Sequence, residues 1–266
     1  RVRRGRCGGA MTPVRFHHVL RSEWTKLRSL RSTVCTLLAA GVLAIGLSVL
    51  FANGAGRRLD AQGGFDPTAV SLQSFILVQL AISVLGVLVV TSEYGTGMIR
   101  TSLTAVPRRG RLLAAKALVF GAVALVCGQV VAFTSFLVGQ AILNRTGLRD
   151  AALGEPGVLR AVIGCGLYLA MIGLLGVAVG VLTRTTAGAI MIMVAATLLV
   201  PLFTPALPES WAKPVGTFGP FGAGTQVMSV VPEPGLLTPW TGFGVLCLWV
   251  LGVLGVAALV FECRDA

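Results

Sequence analysis

A chain of 266 residues in which 12% are charged, 55% are hydrophobic and mean hydropathy reaches +0.86 cannot present a wetted surface, because a soluble domain charges about a quarter of its residues. Ordinary soluble enzymes, repeat solenoids and disordered tails are excluded on that ground, which leaves a multi-spanning membrane protein. The net charge of +12 rests on 19 Arg and 3 Lys, and in such a chain it reports which side of a bilayer each loop occupies rather than nucleic-acid binding.

In chain order, residues 1–13 are set aside as a leader attributable to the choice of start site, since Met11 is the first methionine. Residues 14–32 predict an amphipathic helix. Phe16, Val19, Leu20, Trp24, Leu27 and Leu30 recur at spacings of three and four, while Arg15, Arg21, Lys26, Arg28 and Arg31 fall mostly elsewhere. With Trp on one face and Arg on the other, that helix is expected to lie in the inner membrane interface and lead into the first span. It has neither the short apolar core nor the small-residue cleavage site of a signal peptide.

Residues 33–266 then predict an all-α integral membrane domain of six transmembrane helices. Crossing the hydrocarbon takes about 20 apolar residues, and uncharged runs of that order cover 33–52, 69–91, 117–143, 161–183, 187–203 and 241–261. The fifth is expected to break near the far surface, where Pro201, Pro205 and Pro208 cluster. Basic residues stay on the cytoplasmic side. With the N-terminus inside, sixteen Lys and Arg fall in cytoplasmic segments and six outside, so both termini are predicted to be cytoplasmic, in a multi-pass protein of the cell membrane. The segment 204–240, rich in Gly and Pro, is expected to be extracytoplasmic and partly re-entrant.

The span interiors hold no Asp, Glu, Lys, Arg or His. Ion-coupled carriage, which needs a titratable or cation-binding group at depth, therefore loses its basis. So does intramembrane hydrolysis, because His17 and His18 both sit before the first span. Gln79, Gln129, Gln140 and Tyr168 are the candidates for a substrate path, and interhelical hydrogen bonding is their alternative role. Gly176-Val-Ala-Val-Gly180 fits close packing of helix backbones, within the chain or at a dimer contact. The six cysteines are scattered, with no CxxC pair, and read as packing residues without a metal. The three lysines, Lys26, Lys116 and Lys213, follow Thr, Ala and Ala, so no phosphate-binding GxxxxGK[ST] loop exists. The chain is not expected to be an enzyme, and any uphill work draws on a partner.

The most informative stretch is the cytoplasmic loop at 92–116, Ser-Glu-Tyr-Gly-Thr-Gly-Met-Ile-Arg-Thr-Ser-Leu-Thr-Ala-Val-Pro-Arg-Arg-Gly-Arg followed by Leu-Leu-Ala-Ala-Lys. Gly95 and Gly97 allow the second span to end sharply. Thr96 can cap a new short helix, and Pro107 stops it before a basic turn. Such a helix across the cytoplasmic mouth suits docking into a groove of another protein.

The run Glu93-Tyr-Gly-Thr-Gly-Met-Ile-Arg100, with Leu103, Pro107, Arg111 and Lys116, resembles the loop of ABC-2 type transporter permeases, the membrane subunits of ATP-binding cassette exporters. The amphipathic N-terminal helix with Glu23 and Lys26 agrees, as does the Pro/Gly-rich stretch 211–224 before the last span. The resemblance implies a permease half that pairs with a second copy or a related subunit, and with separate ATPase subunits that bind the ATP, so the chain needs no cofactor of its own. It implies ATPase coupling for Glu93, Gly95, Thr96, Arg100, Pro107, Arg111, Lys116 and Glu23. A local Glu93–Arg100 ion pair that anchors the loop at the headgroups is the alternative role. From a different class, a non-transporting scaffold or sensor subunit would use the same loop to dock a signalling partner. The expected partners are thus an ABC-type ATPase, a second permease and the bilayer, with no nucleic acid.

Overall fold

The computed structural model describes residues 16–29, 31–58, 66–98, 109–231 and 235–263, and among them every regular element is helical. Helix α1 (Phe16–Ser29) precedes α2 (Arg31–Arg58); a short α3 (Pro67–Leu72) and α4 (Phe75–Gly95) form the second span, α5 (Arg109–Arg145) the third and α6 (Val158–Thr183) the fourth. The fifth begins with α7 (Thr186–Val194) and continues into α8 (Val200–Phe203). After it come α9 (Glu209–Phe218), α10 (Pro220–Thr225) and the last span, α11 (Pro239–Cys263). Among the described residues six stretches are long and apolar enough to cross a membrane: Cys35–Gly54, Pro67–Gly95, Arg109–Arg145, Val158–Thr183, Thr186–Ala206 and Pro239–Cys263. Five of the six apolar runs of the sequence fall inside one of them, and the run 33–52 overlaps the first.

The elements start and stop for local reasons. Asp66 opens α3 by accepting hydrogen bonds from the backbone N–H groups of Thr68 and Ala69 (2.9 and 3.3 Å), with Pro67 at the first helical position, where a missing N–H costs nothing. Helix α5 is 37 residues long, about 55 Å at 1.5 Å per residue, so it exceeds the hydrocarbon thickness by about 25 Å. The sequence run at 117–143 underestimates it because basic residues open its first turns. In the fifth span Pro201 has no N–H for the carbonyl of Thr197 and its ring crowds that carbonyl. The turn widens to a π-helix over Ala195–Leu199, and the span ends in a 3-10 turn at Thr204–Ala206, which is the break that the proline cluster predicts.

Helix α6 is the axis, and 72% of its apolar window is buried inside the protein, against 17% for each of the last two spans. It meets α4 backbone to backbone. Gly176 lies on the Ser83 carbonyl, Gly180 on that of Val87, and Gly86 of α4 on that of Gly173; a Cβ at Gly86 or Gly176 would collide with main chain. The GxxxG pattern is thus used within the chain.

Between α8 and α11 the backbone turns inward. Helices α9 and α10 fold against each other at Gly219, and Gly222 rests on the Gly216 carbonyl, an approach that any side chain would block. Against α6, Arg160 donates to the carbonyl of Ser229 (2.9 Å), Gly164 packs on Val227 and the Tyr168 ring packs on Gly224. Tyr168 lies about 12 Å further along the helix axis than Arg160, so this hairpin runs beside the first half of α6. At its tip the Trp249 Nε1–H of α11 donates to the Phe218 carbonyl (2.9 Å).

Candidate functional site

Where α1, α4 and α5 meet, four charged side chains alternate around a closed ring. Lys116 of α5 donates to Glu23 Oε2 (2.7 Å) and Glu93 Oε1 (2.9 Å); Lys26 of α1 donates to Glu23 Oε1 (2.8 Å) and the same Glu93 Oε1 (2.9 Å). Glu23, Glu93 and Lys116 are buried, with 3%, 6% and 5% of their surface exposed, while Lys26 keeps part of its side chain accessible. Two carboxylates and two ammonium groups sum to zero, which is the condition under which buried charge is tolerated. Burial alone would lower the Lys26 pKa, but the hydrogen bonds it donates to Glu23 and Glu93, with the attraction of their charges, outweigh it and hold the group above its ordinary 10.5.

Local sequence places each member. On α1 Val19, Glu23 and Leu27 sit at spacings of four on one line, and all three are buried; Val19 packs against Leu112 and Ala115 of α5. The amphipathic helix thus turns one line of its stripe to the protein. Much of its apolar stripe faces protein rather than lipid, and Trp24 is half exposed. Lys116 lies two turns inside α5, where only the unexpected length of that helix makes it reachable from α1. The cluster borders a cavity of about 230 Å³, lined in part by Leu27, Val89, Ser92, Thr96 and Met98.

Of the residues assigned to coupling, the structure brings Glu23, Glu93 and Lys116 into one cluster. Gly95 ends α4 and Thr96 follows it, with the Thr96 hydroxyl turned back onto the Ser92 carbonyl (2.8 Å). Gly97 takes φ +69, the left-handed region that favours glycine. Arg111 is exposed on the first turn of α5, and Arg100 and Pro107 lie outside the described residues. Among the described residues the cations on Glu93 are Lys26 and Lys116. Lys26 is the member that sequence reasoning left out of the coupling set, although two signals pointed to it. It stands three residues after Glu23, and it is one of only 3 lysines beside 19 arginines. A compact ammonium that bonds two carboxylates at one nitrogen is something the planar guanidinium does less readily.

Two more contacts tie this end together. Arg109, in the first turn of α5, donates to the Phe261 carbonyl in the last turn of α11 (3.4 Å), and Arg184, in a left-handed conformation after α6 (φ 55), stacks over the Tyr94 ring at 5.6 Å.

Of the four candidate path residues, Tyr168 and Gln79 meet, whereas Gln129 and Gln140 bond elsewhere. Tyr168 donates to Gln79 Oε1 (2.7 Å), joining α6 to α4. Gln129 donates to the Ile163 carbonyl (2.9 Å), joining α5 to α6. Gln140 donates to the Pro67 carbonyl and Ser71 Oγ (both 3.0 Å) while accepting from the Ala151 N–H (2.8 Å). Each serves as an interhelical hydrogen bond in this structure. Among the described residues no group of three or more His, Cys, Asp and Glu is placed to hold a metal ion. What the ring of charges can do is mechanical, since it holds three helices in one register.

Compared with known proteins, the chain matches the family model described as ABC-2 family transporter protein over residues 19–207. That span begins within α1, includes all four charged residues and ends after the fifth span. No curated protein matches the chain.

Proposed function

Because the chain belongs to the ABC-2 family of transporter proteins, we propose that this multi-pass membrane protein is the permease subunit of an ATP-driven exporter in the cytoplasmic membrane. It takes its energy from a separate ATPase that docks on the end bearing Glu23, Lys26, Glu93 and Lys116. A second copy or a related permease completes the pathway, which opens alternately to the two sides. The observation that carries this reading is the charge ring itself. Glu93 immediately precedes the segment 94–115 and Lys116 immediately follows it, and the two are bonded at 2.9 Å. The end of α4 and the start of α5 are therefore clamped to each other on either side of the connecting segment, with α1 fastened to the same clamp. Force applied to the loop by a partner moves α1, α4 and α5 together instead of being absorbed in the loop.

Positive charge concentrated at that end supports a cytoplasmic placement. Arg111, exposed on the first turn of α5, is available to a docking surface, and Arg100 and Pro107 belong to the same loop. The test is purification from native membranes in mild detergent, with an ATPase assay on the eluate. An ATPase in stoichiometric amount is expected, and Glu93→Gln is expected to keep that partner while lowering transport-linked hydrolysis. Recovery of the chain alone, or with a signalling protein and no ATPase, overturns the reading in favour of a scaffold or sensor subunit.

A further inference from the structure

Helix α1 separates its charges by face. With Glu23 at the centre of the buried line, 3.6 residues per turn put Trp24, His17, Arg28 and Arg21 together on one flank, between about 100° and 160° away. All four are exposed, Trp24 by 50%, so the indole shares a flank with Arg21 and Arg28 instead of facing away from them as the sequence predicts. The only acid on the helix, Glu23, is consumed by Lys26 and Lys116, and neither Arg21 nor Arg28 has an ion-pair partner among the described residues. The flank thus offers two uncompensated guanidinium groups and an indole to whatever lies beside the helix.

Position along the bundle says what that is. Helix α2 begins at Arg31, just after α1 ends, and Glu23 reaches Lys116, about 10 Å along α5 from its start. The charge-free run of α5 begins at Ala117, so Lys116 and the α1 helix bonded to it lie at the edge of the apolar segment, at headgroup depth. At that depth an indole prefers the boundary between acyl chain and headgroup, and guanidinium pairs with phosphate in a forked geometry.

We propose that the Trp24, Arg21 and Arg28 flank of α1 is a binding site for anionic phospholipid of the inner leaflet, with the arginines on the phosphate and the indole on the glycerol and upper chain. The leaflet rests on the cytoplasmic orientation proposed above, whereas the lipid preference rests on the flank alone. Because Glu23 is on the same helix, a lipid held there also steadies the charge ring.

The test is native mass spectrometry of the full chain in detergent, titrated with phosphatidylglycerol or phosphatidylcholine. The native chain is expected to retain phosphatidylglycerol preferentially. Arg21→Gln with Arg28→Gln is expected to weaken that binding about fivefold per arginine, leaving phosphatidylcholine binding, and thermal stability in lipid-free detergent, unchanged. Arg145→Gln with Arg149→Gln, exposed at the far end of α5 and just beyond it, serves as the control and is expected to bind like the native chain. Equal retention of the two lipids by the native chain overturns the proposal, as does undiminished phosphatidylglycerol binding by the Arg21/Arg28 variant. If that variant instead loses a co-purifying ATPase while keeping the lipid, the flank is a protein-docking surface and the lipid assignment fails, without touching the permease reading.

Discussion

Glu93 Oε1 accepts from two lysines on two different helices, so the residue cannot be removed without stranding positive charge in a buried site. Losing one partner of a buried pair costs about 3–5 kcal/mol, and Glu93→Ala is expected to lower thermal stability in detergent by that amount. A double-mutant cycle isolates the interaction. Glu93→Gln and Lys116→Gln each leave a net charge and should each destabilise, whereas the double variant restores neutrality and should cost less than the sum of the two, by about 0.5–3 kcal/mol. Strict additivity would falsify the coupling of the pair. Lys26 adds a pH signature: with its pKa held above 10.5 by the two carboxylates, its contribution is full below pH 10.5 and disappears as the pH climbs through the raised value. The gap in melting temperature between the native chain and Lys26→Met should therefore be constant through neutral pH and close at strongly alkaline pH. Sequence alone revealed three of these four residues through the loop and N-terminal motifs, but not their arrangement. Glu23 and Lys116 are 93 positions apart, and nothing local says that a glutamate on an amphipathic helix turns toward the protein instead of toward water.

Among the elements, the spans were legible because apolar length is a property of each segment by itself, and the proline break in the fifth followed from steric rules. Which glycines matter was not legible, because the neighbour is on another helix. Gly176 and Gly255 are both glycines in apolar spans, yet a Cβ at Gly176 meets the Ser83 backbone and one at Gly255 meets nothing within 4 Å. Backbone cannot yield as a flexible side chain can, so Gly176→Ala is expected to destabilise by about 1–3 kcal/mol, while Gly255→Ala leaves the melting temperature unchanged; thermal unfolding of the two variants side by side decides it. Equal behaviour of the pair would show that α4 and α6 are not packed at backbone contact. The extent of α1's burial and the extra turns of α5 stayed hidden for a related reason. A hydropathy scan stops at the first cluster of arginines, whereas a helix continues wherever its backbone bonds are made.

At the scale of the whole molecule, α5 is the one continuous element shared by the clamps at both ends. Lys116 joins it to α1 and α4. Gln140, about 36 Å further along, joins it to Pro67, Ser71 and Ala151, where Ser48 of α2 also donates to the Ser71 and Ser135 carbonyls (3.2 and 2.7 Å). No proline interrupts α5 between them. If the protein transmits a push on the 94–115 loop to its far side, this rod is the shortest covalent route. A kink in it should separate binding of the partner from its effect. Val130 is 58% exposed near the middle of α5, so a proline there removes one backbone bond and bends the helix, at about 3 kcal/mol, without disturbing a packed side chain. For Val130→Pro we expect an ATPase still to co-purify, since the cluster lies 14 positions away in sequence, while transport-linked ATP hydrolysis drops toward the basal rate. Val130→Ala, which keeps the helix straight, should transport normally. Normal transport by both variants would mean that the signal passes through α4 and α6, which pack glycine to backbone at Gly86 and Gly176.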